Sequence, residues 1–250
     1  MPGILYLIPN ALGESDTSRP DPLSGIIPDN VQAITASLDY FIAENAKTTR
    51  AFLKILAIAH PLAKLLQDIQ ISELNVNTDV AMLPSLLAPL LSGRNAGLIS
   101  EAGVPAVADP GANLVRLAHQ HNIIVKPLVG PSSLLLAVMA SGLNGQRFAF
   151  NGYLPIDAPQ RTKRIKELED RSRKERQTQL FIETPYRNGA LLEALCNTCS
   201  PATLICTATD LTLPGEAIRT QSVQKWKGDL ARKQTPDLQK KPTVFLMLAE

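Results

Sequence analysis

The chain has no apolar stretch near the roughly 20 residues needed to cross a bilayer. Its first ten residues, MPGILYLIPN, lack the basic flank and long apolar run of a secretory leader. Both absences set the expectation of a cytoplasmic protein with no membrane segment. Cysteine is scarce: Cys196, Cys199 and Cys206 are an odd set in a 250-residue chain and argue against a disulfide framework. Cys196 and Cys199 make one CxxC without a second pair, and His60, His119 and His121 lie far upstream, so no metal site is expected. No Walker sequence and no G-x-G-x-x-G follows the first apolar run, which removes the two commonest nucleotide fingerprints. No Ser-His-Asp set can be picked out. His119 and His121 stand two apart on an expected helix, hence on different faces, and read as surface residues.

What is present is an ordinary soluble composition, 45% hydrophobic and 19% charged, able to bury a sizeable core. The length favours two domains. The net charge of +2 is unevenly spread, and the 161–176 segment alone holds eight Lys or Arg against four Asp or Glu. Two readings of that segment stay open: a solvated helix face laced with i, i+4 pairs, or a surface for a polyanion. It contains no aromatic residue that would stack on bases.

Apolar runs at 4–8, 40–43, 95–99 and 123–130 read as strands. Helices are expected between them, near 30–37, 48–58, 80–91, 112–121 and 132–141, with Asp29 or Asn30 capping the first and Pro84 and Pro89 shortening or kinking the third. This alternation predicts an α/β domain around a mostly parallel sheet over residues 1–143. Residues 144–250 form a second α/β domain, with strands near 147–150, 180–183, 202–208 and 244–248 and helices near 160–174 and 188–197.

Open α/β sheets bind ligands beyond the carboxyl ends of their strands. Four loops of unusual chemistry fall there: 9–13, 44–47, 100–111 and 130–133. The third reads SEAGVPAVADPG, with small side chains and much backbone constraint, as suits a loop approached closely by a ligand. Residues 100–105 read as its ligand-facing part, and Asp109-Pro110-Gly111 as the cap that starts the next helix.

ISEAGVPAVADPGANLVRLAHQHNIIVKPLVGPSS followed by LLLAVMASGLNGQRFAFNGYLP resembles the signature of the tetrapyrrole (corrin/porphyrin) methylase superfamily. The branch it resembles most contains the small-subunit rRNA (cytidine-2'-O)-methyltransferase. Weaker similarity covers GILYLIP, FIAENAKTTRAFL, LFIETPYR and KKPTVFLMLAE. The resemblance implies a two-domain class III methyltransferase fold, a homodimer, and S-adenosylmethionine in a cleft between the domains. It implies cofactor contacts, largely through backbone, at Pro9, Ser100, Glu101, Ala102, Val104, Ser132, Ser133 and Ile182. The chain departs from the branch pattern in carrying Glu101 where an aspartate is usual, Glu44-Asn45-Ala46-Lys47 in place of Glu-Asp-Thr-Arg, and a Pro-rich stretch after residue 13.

Three functions follow: methyl transfer to an rRNA ribose 2'-hydroxyl, with the basic 161–176 segment on the RNA; the same transfer to a tetrapyrrole or other small molecule; or cofactor binding with little transfer. Glu44, Glu183 and Arg187, each at or just after a strand end, are the catalytic candidates. A surface ion pair or a cap is the competing reading of each.

Overall fold

The computed structural model describes residues 1–249, and the chain folds as two compact units, Met1–Ser132 and Ser133–Glu250. This division and the one expected at 143/144 differ by a single helix and the two residues after it.

In the first unit, β1 (Ile4–Ile8), β2 (Tyr40–Ala43) and β4 (Ala96–Ile99) are nearly unbroken apolar runs. Such runs suit strands covered on both faces, as parallel strands are. With β3 (Gln70–Glu73) and β5 (Ile124–Pro127) they form an all-parallel sheet in the order β3-β2-β4-β1-β5. Side-chain alternation along β2 sends Phe41 and Ala43 to one core and Tyr40 and Ile42 to another. The first core holds α1 (Asp29–Ala36) and α2 (Ala46–Leu56), through Val31, Phe52, Leu53 and Leu56. The second holds α3 (Leu83–Leu91) and α4 (Ala112–Gln120), through Leu87, Leu90, Leu114 and Ala118. The 13–30 stretch is irregular, but Leu23 and Ile27 tie it into the first core at 1% exposure each.

Neither Asp29 nor Asn30 caps α1: the cap is Pro28, without a side-chain hydrogen bond, and Asp29 lies in the first turn. Pro84 sits at the start of α3, where a missing N–H costs nothing, while Pro89 lies inside it.

The second unit opens with α5 (Ser133–Ser141), which packs on one face of a mixed sheet. That sheet runs β6-β7-β10-β8-β9, from β6 (Phe148–Tyr153), β7 (Thr178–Ile182), β8 (Leu204–Thr209), β9 (Ala217–Ser222) and β10 (Thr243–Leu248). Only β6 and β7 pair in parallel; β10 runs antiparallel to β7 and β8, and β9 antiparallel to β8. The other face carries α6 (Ala158–Glu175), α7 (Asn188–Thr198) and α8 (Val223–Ala231) over Phe181, Ile205, Phe245 and Met247. Trp226, fully buried there, donates its indole N–H to the Ile205 carbonyl at 3.0 Å.

Candidate functional site

The carboxyl ends of β1, β2 and β4 are adjacent in the first sheet, so the loops that leave them meet. After β1, Asn10 exchanges two backbone hydrogen bonds with Gly103, at 2.8 and 3.2 Å, forming a one-residue antiparallel bridge. The residue is 7% exposed, and its side chain donates from Nδ2 to the carbonyls of Ser100 (3.1 Å) and Glu101 (3.0 Å) and accepts from the Ala11 N–H through Oδ1 (2.8 Å). One buried amide thus holds the loop after β1 against the loop after β4. A polar group so buried is stable only because its bonds are made.

The loop after β2 joins the same edge. Glu44 donates its backbone N–H to the Ile99 carbonyl at 3.1 Å, and its Oε2 accepts from the Glu101 N–H at 3.1 Å. Asn45 caps α2, its Oδ1 accepting from Lys47 and Thr48, so the first of the three residues that depart from the branch pattern here is used as a cap. Gly130, in the loop after β5, packs so closely on Pro9 that a Cβ would collide with the ring.

Residues 100–111 carry four left-handed backbone conformations: Gly103 (φ 69°), Ala106 (64°), Ala108 (65°) and Gly111 (133°). Two are alanines, for which that region costs of order 1 kcal/mol each. Gly111 caps α4 by backbone alone, and no side chain hydrogen-bonds that helix start. This corrects the reading of Asp109 as the cap. Its carboxyl faces Ser100, Glu44 and Glu101 instead, and is pushed up to about 6, by burial first, then by the charge of Glu44 and, more weakly, of Glu101; a hydrogen bond with Ser100 opposes the rise. Sequence reasoning missed both Asn10 and Asp109 as site residues. A buried-strand terminus followed by Asn was the available signal for the first.

Of the residues expected to hold a cofactor, Pro9 and Ser100 are buried, Val104 half-buried, and Glu101 and Ala102 exposed, all on this one edge. Ser100 donates Oγ–H to the Ala102 carbonyl at 3.2 Å. Ser132 ends the first unit; Ser133 is the first residue of α5, whose opening N–H groups have no partner within the helix. Ile182 ends β7, half-buried. Glu183 and Arg187 are brought together: Oε1 of Glu183, whose side chain is 1% exposed, accepts from Arg187 Nη2 (2.5 Å), Arg187 Nε (3.0 Å) and the Thr184 N–H (2.6 Å). Glu44 belongs to the first unit and these two to the second.

The first-unit edge fits a ligand read through main chain. Ala11, Ala102, Gly103, Ala106 and Gly130 put little bulk between the loop backbones and a bound molecule, and the carboxylates there are Glu44, Glu101 and Asp109. Among the described residues no group of three His, Cys, Asp or Glu could hold a metal ion. Cys196, Cys199 and Cys206 are buried, free thiols. His119 and His121 are exposed.

No family model matches the chain. It is 29% identical over 211 residues to "Ribosomal RNA small subunit methyltransferase I" of Xylella fastidiosa, covering 84% of this chain and 69% of that protein. The protein of the same name from Mesorhizobium japonicum is 36% identical over 153 residues, 61% of this chain and 51% of its own length. That from Escherichia coli O157:H7 is 29% identical over 216 residues, 86% and 68%. The chain therefore spans between about half and about two thirds of these relatives. Among solved structures it has the fold of the methyltransferase CobJ (TM-score 0.60, 17% identity, 99% of this chain and 94% of that one). It also has that of a cobalt precorrin-4 methyltransferase, CbiF (0.55, 14%, 98% and 94%), and of uroporphyrin-III-C-methyltransferase from Thermus thermophilus (0.52, 18%, 99% and 93%).

Proposed function

We propose that the chain is a member of the tetrapyrrole methylase superfamily alongside the small-subunit rRNA methyltransferases, and that it transfers a methyl group from S-adenosylmethionine to a ribose 2'-hydroxyl of ribosomal RNA. The observation that carries this reading is sequence similarity to rRNA methyltransferases, over 86% of the chain in one of them, joined to an edge of small-residue loops suited to backbone recognition. Pro9, Ser100, Glu101, Ala102, Val104, Ser132, Ser133 and Ile182 are the residues proposed to hold the cofactor. The family resemblance also supports a homodimer working in the cytoplasm.

When bound, S-adenosylmethionine supplies an electrophilic methyl carbon on a sulfonium. The chemistry it would supply is donation of that methyl group to a hydroxyl oxygen, which would have to give up its proton. The protein's contribution is alignment and a proton acceptor. Glu44 is the proposed acceptor: Oε2 is committed to the Glu101 N–H, while Oε1 takes no hydrogen bond among the described residues. Asp109, held near 6, is a second carboxylate able to exchange a proton close to neutral pH. Glu183 and Arg187 are proposed to act as one ion pair that fixes the second unit's strand-end loop, presenting a cation to the substrate.

Incubating the protein with methyl-labelled S-adenosylmethionine and small-subunit rRNA, then digesting to nucleosides, tests the reading. Label in a 2'-O-methylnucleoside supports it. Label in no nucleoside, or in a base, overturns it. Two of the fold neighbours are named for a precorrin and a uroporphyrin, so uroporphyrinogen serves as the second acceptor in the same assay.

A further inference from the structure

The basic segment at 161–176 is not one surface. Helix α6 leaves the carboxyl end of β6 and returns the chain to the start of β7, so its two ends lie at opposite edges of the parallel β6–β7 pair, about 27 Å apart for 18 residues. At the far edge, Arg147 donates to the Glu175 carbonyl and Asn144 to the Arg176 carbonyl. There Arg171 and Arg173 are paired with Glu175, Glu169 and Asp170. At the near edge, Arg161 Nη1 donates to the Ile156 carbonyl at 3.1 Å, and Arg164 Nη2 to Asn151 Oδ1 at 3.4 Å. Lys163 and Lys166 are exposed and enter no ion pair among the described residues.

The near edge also carries the aromatic rings that the basic segment lacks. The β6–β7 register shifts between Phe150 and Tyr153, with Gly152 at φ 64°, and a bulge of this kind re-aims the side chain that follows it. Tyr153 is 60% exposed opposite Ile182, and Tyr186, four residues beyond Ile182, is 78% exposed. Only 4% of the chain is aromatic, yet among the described residues its two most exposed rings are Tyr153, the last residue of β6, and Tyr186, in the loop after the neighbouring β7. Burial of a large ring is strongly favourable, so exposure of the pair at one edge is informative. The turns of α6 nearest β6 and the loop after β7 carry Arg161, Lys163, Arg164, Lys166 and Arg187 against Asp157, Glu167 and Glu183, of which Glu167 and Glu183 are already paired with Arg164 and Arg187.

We infer that this edge of the second unit docks a single-stranded segment of the RNA substrate, with Tyr153 and Tyr186 stacking on unpaired bases and Lys163, Lys166 and Arg161 on the phosphates. The inference rests on the RNA reading above and adds to it where the strand is held. Two separate ring faces flanked by cations match splayed bases on a continuous backbone; a duplex keeps its bases stacked on each other and offers none to a tyrosine.

The test uses the full chain and a fluorescein-labelled, mixed-sequence single-stranded 12-nucleotide RNA, with its duplex as comparison, read by anisotropy. Y153A and Y186A are each expected to weaken single-strand binding roughly 5- to 150-fold, and Y153F and Y186F to stay near wild type. K163A/K166A is expected to lower the slope of log K against log salt by about 1.4. Circular dichroism and the melting temperature check that each variant folds, and the phenylalanine pair guards against misfolding as the cause. Wild-type affinity in both alanine variants, or no single-strand binding by the wild type, overturns the inference. Methyl transfer to rRNA measured in the same variants separates the two claims: transfer retained at saturating RNA with unchanged binding leaves the proposed function standing and this docking surface refuted.

Discussion

Asn10 and Gly103 are joined by a pair of backbone hydrogen bonds although 93 residues separate them, and the Asn10 amide reaches past that bridge to the carbonyls of Ser100 and Glu101. The residue after β1 therefore sets the shape of the loop after β4. Asn10→Ala removes two donors from buried or half-buried carbonyls while the bridge remains. The expected cost is about 1–3 kcal/mol of stability, seen as a drop in urea midpoint without a change in slope. Affinity for S-adenosylmethionine should fall with it, since the loop no longer has one fixed geometry. Unchanged stability and affinity would mean that the amide is incidental.

Asp109 makes a pH-dependent contribution with a definite sign. Its folded-state pKa, about 6, lies above the ordinary 3.8, so the unfolded chain gives up this proton first and stability falls as pH rises from about 4 to about 6, then levels off. Partial exposure screens the effect to roughly 1–2 kcal/mol. Asp109→Asn fixes the neutral form. It should match wild type near pH 4 and exceed it by about 1 kcal/mol at pH 8, measured by urea unfolding at both. A variant weaker than wild type at pH 8 would show that the ionised carboxylate is the form the fold prefers.

Burial pushes the Cys196 thiol up to about 11 and that of Cys199 up to about 12, and raises Cys206 as well. Thiolate, the reactive form, is therefore scarce at neutral pH. Native protein at pH 7.5 should react with a thiol-specific chromogenic disulfide at a rate set by unfolding, and all three thiols should appear at once in denaturant. Rapid labelling of one thiol in the native state would contradict this.

The central strands were legible because parallel strands covered on both faces need uninterrupted apolar runs, and ILYLI, YFIA and AGLI supply them. β3 was not: QISE is a half-exposed edge strand whose polar ends do not distinguish it from a loop. β9 and α8 were missed as well: AIRTQS is a mostly polar, half-exposed edge strand, and VQKWKGDLA buries only Val223, Trp226 and Asp229, so neither carries a strong apolar period. At the site, small residues at strand ends marked the loops that meet at one edge of the first sheet. Asp-Pro-Gly before a helix suggested a capping aspartate, but Gly111 takes that place in a conformation that a side chain rarely adopts, with Leu98 filling the space a Cβ would need. That leaves Asp109 beside Glu101 and beside Glu44, 65 residues upstream, a relationship that no local pattern encodes. Tyr153 and Tyr186 likewise become neighbours in meaning only once β6 and β7 are paired.

Calorimetric titration of the full chain with S-adenosylmethionine, repeated with S-adenosylhomocysteine and with Asn10→Ala, is the most direct measurement. The expected result is one saturable site per chain for both ligands, with weaker binding in the variant. No binding of either ligand to folded wild-type protein would contradict the assignment of this edge to the cofactor, and with it the proposed methyl transfer.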